Sequence, residues 1–221
     1  AGRRSGGSRH APGYHRVVDP WPSPVKVAAP GWRRALAGMF VVAAAVTGAP
    51  AGDAGPPSGP VVLGPDLEVR TQIAAGWRYR PGDDLAGADP ATNDGDWPVV
   101  DSTLRDPSAM PGGWPGNGWF RVRVRLAEGL PSTAVALRLM QAGASEVYLD
   151  GVRVVSFGQV ATASSAERPL FPNHFAAVVL EPGREHLLAV RYSNRSGHTI
   201  GRSFQGFVVN LRSVESASRA A

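Results

Sequence analysis

Cysteine is absent from the 221 residues, so neither a disulfide framework nor a thiolate metal site can be built, and the redox compartment stays open. Lysine occurs once, at Lys26; every other basic side chain is arginine, a bias that reflects a GC-rich coding sequence more than a chemical role. Long apolar runs are also missing. The one extended run, Ala35 to Val46, is well short of the roughly twenty residues a membrane-spanning helix needs. No Gly-x-Ser-x-Gly nucleophile elbow occurs. His174, His186 and His198 lack metal-ligand spacing and read as surface or interface residues. Between Val61 and Val214 no segment carries a helical apolar period.

The formal charge of +5 does not describe the domain. Residues 1–34 hold seven Arg/Lys against one Asp, whereas residues 52–221 hold sixteen Arg against seventeen Asp/Glu. The basicity belongs to the tail, and no nucleic-acid partner is expected.

Glycine, at 27, and proline, at 20, are plentiful and suit short strands joined by turns. The stretch Asn117-Gly-Trp-Phe-Arg-Val-Arg-Val-Arg-Leu-Ala127 alternates strictly. Phe120, Val122, Val124 and Leu126 point one way; Trp119, Arg121, Arg123 and Arg125 point the other. Such a strand has one face on a core and one wet or ligand-facing side. Further strands are expected at 67–73, 77–80, 99–104, 134–140, 175–180, 186–192 and 204–212. Glu146 to Val155 reads as a hairpin closed by Asp150-Gly151 in a type I′ turn. Pro81 to Pro98 is a loop with five aspartates, and its Asn93-Asp94-Gly95-Asp96 reads as a solvated turn. About eight short strands predict an all-β sandwich or jelly roll over residues 67–213.

The flanks read differently. Residues 1–34 lack any apolar period and read as a disordered basic tail. Arg33-Arg34, the apolar run and the A-x-A pattern Ala49-Pro50-Ala51 make 35–51 a signal-peptide-like segment. This implies export, to the periplasmic or extracellular side of a membrane. An uncleaved anchor or a buried helix are the alternatives for the same run. Residues 52–66 read as a Gly/Pro/Ser linker and 214–221 as a polar tail.

Gly76-Trp77-Arg78-Tyr79-Arg80-Pro-Gly-Asp-Asp84, Asp96-Trp97, Gly118-Trp119-Phe120-Arg121, Val147-Tyr-Leu-Asp-Gly151 and Leu188-Ala-Val-Arg-Tyr192 occur in that order. Together they resemble the galactose-binding-like jelly roll, in particular the N-terminal sugar-binding domain of family 2 glycoside hydrolases. Gln141 to Gly151 with Arg191-Tyr-Ser-Asn194 is similar to the extracytoplasmic domains of bacterial seven-transmembrane-type sensors. The resemblance covers roughly residues 67–213. It implies a non-catalytic sensor-type domain for a carbohydrate or small carboxylate, with no cofactor. The alternative is the accessory domain of a truncated hydrolase. Sensors continue into membrane spans and hydrolases into a catalytic barrel. Neither follows here before Ala221, so the chain reads as a fragment or a truncated copy. Membrane association would then come through residues 35–51 or a missing C-terminal region.

Sugars stack on flat rings and bond to Asp, Asn and Arg. Trp77 and Trp97 read as packing residues. Trp114 lies in the rigid turn Pro111 to Asn117, and Trp119 and Arg121 lie at the start of the arginine-faced strand. Arg168 and His174 lie in the Pro-stiffened loop Arg168-Pro-Leu-Phe-Pro-Asn-His174. These five residues, Trp114, Trp119, Arg121, Arg168 and His174, are the expected ligand site, gathered at one end of the sandwich. Arg123 and Arg125 are expected to be paired by Glu146 and Asp150. Asn194-Arg-Ser196 matches a glycosylation sequon, to which no role is given.

Overall fold

The computed structural model describes residues 59–68, 71–172 and 174–219. The expectations for the basic tail and the signal-peptide-like segment lie outside these residues. The fold is a β-sandwich of two sheets. Its strands are β1 (Val61–Leu63), β2 (Thr71–Ile73), β3 (Trp77–Pro81), β4 (Val99–Val100), β5 (Asn117–Leu126), β6 (Thr133–Gln141), β7 (Ala144–Leu149), β8 (Val152–Phe157), β9 (Ala176–Leu180), β10 (Glu185–Ser193) and β11 (Phe207–Ser213). The larger sheet runs β4-β3-β5-β10-β7-β8, with β1 added parallel to the end of β5. The smaller sheet runs β2-β11-β6-β9 and is antiparallel throughout.

β5 is central because both its edges are used. β10 pairs along its whole length, from Ser193 opposite Asn117 to Glu185 opposite Arg125. Its other edge is shared between β3 and β1. The alternation read from the sequence sets its faces. Phe120, Val122, Val124 and Leu126 enter the core between the sheets with Leu188, Val190 and Tyr192 of β10 and Leu137, Leu139, Phe207 and Val209 of the small sheet. A period of two sends alternate side chains of β5 and β10 into the space between the sheets, and the aromatic rings of Trp77, Phe120, Tyr192 and Phe207 interlock there at centroid distances of 5.1–6.4 Å.

The hairpin turn between β7 and β8 is as expected: Asp150 has φ 49° and Gly151 φ 84°, the two positive values a type I′ turn requires. The strands expected at 77–80, 134–140, 175–180 and 186–192 are found to within a residue at each end, while other elements depart. Where a strand is expected over 67–73, the described residues give a short 3₁₀ turn (Pro65–Glu68) and the three-residue β2. The strand expected at 99–104 stops at Val100. Val214–Arg219, expected to be a polar tail, is a short helix α1 whose Ala217 is buried, with contacts to β11 and β6. Ser216 N–H donates to Ser213 Oγ at its start, an N-cap-like contact the tail's composition hides. Among the described residues no helix is long and apolar enough to cross a membrane.

Candidate functional site

The outer face of the larger sheet carries Arg78 and Arg80 on β3, Trp119, Arg121 and Arg123 on β5, Ala189 and Arg191 on β10, and Glu146 and Tyr148 on β7. Residues 82–98 fold over it. Asp84 and Asp89 accept hydrogen bonds from Ala86 N and Ala91 N, and the 3₁₀ turn Leu85–Ala88 follows from the first of these caps. Gly87 lies flat on the Trp119 indole, where any Cβ would overlap the ring. Ala88, Trp97, Trp119, Tyr148 and Ala189 form a second apolar cluster beneath this segment. Ala189 is the small residue that lets Trp119 and Tyr148 meet, at a ring distance of 5.3 Å.

This layer revises the expected solvated turn. Asp94 is 4% exposed and faces three guanidinium groups: Arg121 Nε at 3.0 Å, Arg123 Nη1 at 3.1 Å and Arg78 Nε at 4.0 Å. Arg121 is 0% exposed, and the Trp97 ring lies 5.3 Å from its Cζ. Burial lowers the Arg121 pKa, Asp94 raises it and Arg123 lowers it again; the net direction is down. Arg123 is paired by Asp94 and by Glu185, at 3.2 Å, not by Glu146 or Asp150. Glu146 instead takes Arg191 at 3.0 Å and Arg153 at 3.3 Å. Burial pushes the Glu146 carboxyl up, but the hydrogen bonds from Arg191 and Tyr148 outweigh it and hold it below the ordinary glutamate value. Arg191 closes the far side of the layer with a two-pronged bond to Asp83, both contacts at 2.6 Å.

The five expected ligand residues do not converge. Trp114 packs on the inner face, against Tyr79, Phe120 and Tyr192, with its Nε1 donating to Asn194 O at 3.4 Å. Trp119 and Arg121 lie on the opposite face of the same sheet, buried under residues 82–98, and offer no open surface on which a sugar ring or an organic acid could lie. Arg168 is exposed and donates to Ser165 O and Glu167 O, tying down its own loop. His174 packs against Phe157 with the ring centroids 5.2 Å apart and the planes tilted by 54°. The Arg168 loop does share a sheet end with the Trp114 turn. Glu167 accepts from Arg195 N and Ser196 N, and Arg195 donates to Asn117 Oδ1 at 2.7 Å. Asn194 is buried and its Nδ2 donates to His198 O and Gln205 O, so its sequon is closed to modification in this fold.

A depression of about 360 Å³ lies at the other end of β5 and β10. It is lined by Pro90, Arg123, Asp150, Arg184, Glu185 and Leu187. The register places it: Leu187 is opposite Arg123 and Glu185 opposite Arg125, while the Asp150-Gly151 turn closes the neighbouring hairpin. The charges are already coupled. Arg184 reaches Asp150 at 3.4 Å and Glu181 at 3.1 Å, and Arg123 holds Glu185. Asp150 is fixed by Leu187 N at 2.8 Å and by His186 Nδ1 at 2.7 Å.

A histidine held by a carboxylate suggests base catalysis, but His186 is not free for it. It is buried, where a surface or interface position is expected, and its Nε2 accepts the Glu181 N–H at 3.1 Å. With that lone pair occupied, Nδ1 carries the proton to Asp150, and the ring ties the Glu181-Pro-Gly183 turn to the hairpin. Among the described residues no group of three or more His, Asp or Glu is placed to hold a metal ion. Reasoning from sequence passed over this pocket because its residues come from two strands, a loop, a hairpin tip and a turn with no shared motif. One signal was there: an acidic loop and an arginine-faced strand in a nearly neutral domain.

No family model matches the chain, and no curated protein matches it. Solved structures similar to it include a β-glucuronidase of Bacteroides uniformis, at 21% identity and a TM-score of 0.43, covering 65% of this chain and 18% of that one. A glycosyl hydrolase family 2 member from Bacteroides cellulosilyticus gives 14% identity and a TM-score of 0.45, covering 64% of this chain and 20% of that one. The β-glucuronidase of Ruminococcus gnavus gives 12% identity and a TM-score of 0.44, covering 65% and 29%. The chain thus spans less than a third of the length of each of these three proteins.

Proposed function

We propose that the domain is a non-catalytic binding module of an exported protein, and that it takes a neutral carbohydrate in the depression beside Arg123 and Arg184. One observation carries this reading. The four charged side chains of the depression are closed into ion pairs, Arg123 with Glu185 and Arg184 with Asp150, next to the apolar Pro90 and Leu187. Its volume is within the roughly 300–1,000 Å³ of small-ligand sites. Fixed donors alternate with fixed acceptors at no net charge, which suits neighbouring hydroxyl groups. The C–H face of a sugar ring would lie on Pro90 and Leu187. A carboxylate ligand would have to displace Glu185 from Arg123, or Asp150 and Glu181 from Arg184, so the neutral class is favoured over the acidic one.

The test is titration of a panel of neutral saccharides and small organic acids against the wild type, Arg184→Ala and Glu185→Ala. Both side chains are about half exposed, so their loss leaves the fold intact. A neutral saccharide should bind the wild type and lose about tenfold or more in affinity to each variant, a change of roughly 1.4 kcal/mol. Trp114→Ala should leave that affinity unchanged. Binding by organic acids alone, or saccharide binding indifferent to Arg184 and Glu185, would refute the assignment. The longer protein is a sensor in this proposal. Its reading frame beyond this chain should encode apolar membrane spans; a β/α barrel there would instead make it an accessory domain of a hydrolase.

A further inference from the structure

We propose a second site, separate from the depression: a small monovalent anion of halide size bound beneath residues 82–98 by the Arg121 guanidinium. The Nη1 and Nη2 atoms of Arg121 are fully buried and have no hydrogen-bond partner among the described residues. Its Nε lies 3.0 Å from Asp94 Oδ2 but out of line for a hydrogen bond. The Trp97 ring does not replace those partners. A Cζ-to-centroid distance of 5.3 Å is a loose cation–π contact, and an aromatic face satisfies at most part of a five-donor fork. Trp119 Nε1, two residues along the same face, is a further buried donor without a partner.

These groups are all donors, so what they lack is an acceptor. Charge decides which kind. Four guanidinium groups, of Arg78, Arg80, Arg121 and Arg123, surround Trp97 and Asp94. Against these four the carboxylates at hand are three: Asp94, shared by three of the guanidinium groups; Asp89, whose charge also acts on Arg121 without pairing with it; and Glu185 at the far end of Arg123. The Arg78 Nη1 donors go to neutral carbonyls of Asp94, Gly95 and Trp97. Positive charge is therefore in excess just where the donors are unmatched and solvent is excluded, and there a charged acceptor gains more than in water. Complete burial of Arg121 limits the occupant to a few atoms at most.

The experiment uses the full chain at constant ionic strength, exchanging gluconate for chloride and then bromide. A specific anion raises Tm saturably, by about 3–6 °C at tenfold its dissociation constant. Crystals grown in bromide should show an anomalous peak within hydrogen-bonding distance of Arg121 Nη1 or Nη2. Arg121→Lys keeps the charge but not the fork and should lose most of the saturable shift. Should that variant not fold, the bromide peak in the wild type decides alone. A water molecule in that position with no anomalous signal, or a Tm indifferent to halide, would overturn the proposal. Saccharide binding in the depression is measured separately, so the two assignments stand or fall independently.

Discussion

Replacing Asp94 with alanine is the most informative single perturbation of this domain. Asp94 is the carboxylate against the fully buried Arg121, and it also takes Arg123 and Arg78 within 4.0 Å. Arg123 and Arg78 lose little, because their side chains are 35% and 28% exposed and Arg123 keeps Glu185. In a buffer free of small anions, Arg121 is shut off from bulk solvent and, among the described residues, has no second acid within salt-bridge distance. Breaking a buried pair by removing one partner costs about 3–5 kcal/mol, since it strands the other charge. For a domain of this size that is a fall in Tm of roughly 6–20 °C. The reverse change should be much milder. Arg121→Met leaves Asp94 with two remaining guanidinium groups and puts an apolar side chain against Trp97, so a loss of under about 2 kcal/mol is expected. The double variant should recover part of the Asp94→Ala loss. Urea and thermal melts followed by circular dichroism measure all three. An Asp94→Ala loss below about 1 kcal/mol, or equal costs for the two single changes, would refute the reading of this layer as one buried acid neutralising one buried base.

The alternation of β5 told where its apolar residues go, because a period of two is imposed by the backbone and needs no partner to be recognised. The Asp150-Gly151 turn was legible for the same reason: its chemistry is local. What covers the arginine face was not. Whether Asp94 or Glu146 neutralises Arg123 depends on how residues 82–98 fold back, and their five aspartates look alike in sequence. Trp114 and Trp119 show the limit well. Five residues apart, they end on opposite faces of one sheet, because the Gly-rich turn before β5 directs Trp114 inward while strand parity directs Trp119 outward. His186 shared the inward parity of Leu188 and Val190, so its burial was available from the pattern, but a polar residue there reads as surface until Asp150 and Glu181 N–H are seen to satisfy both nitrogens.

Three further outcomes follow from individual contacts. Gly151→Val should cost on the order of 1–3 kcal/mol, since a β-branched residue would sit at φ 84° with its Cβ 3.0 Å from Pro90 Cδ; unchanged stability in a urea melt would contradict the turn assignment. Gly87→Ala should cost about 1–3 kcal/mol by forcing residues 82–98 off the Trp119 ring, with faster proteolysis in that segment as the readout. The third concerns alkaline pH. Burial pushes the hydroxyls of Tyr79 and Tyr148 up from 10.0 to about 12, and for Tyr148 the neighbouring Glu146 adds to it. The folded state therefore holds protons that the unfolded chain releases. Stability is fully present below pH 10 and is lost as pH rises from 10 towards about 12. Each residue contributes up to about 1.4 kcal/mol per pH unit across that window. Tyr148→Phe should remove its share of this slope while also releasing the hydrogen bond to Glu146 Oε2. Denaturant melts at stepped pH, with tyrosinate absorbance recorded alongside, separate the two effects: the slope reports the proton and the offset at neutral pH reports the lost bond. An alkaline slope identical in the wild type and in Tyr148→Phe would mean that Tyr148 ionises as readily in the fold as in the unfolded chain, and that the cluster beneath residues 82–98 is open to water.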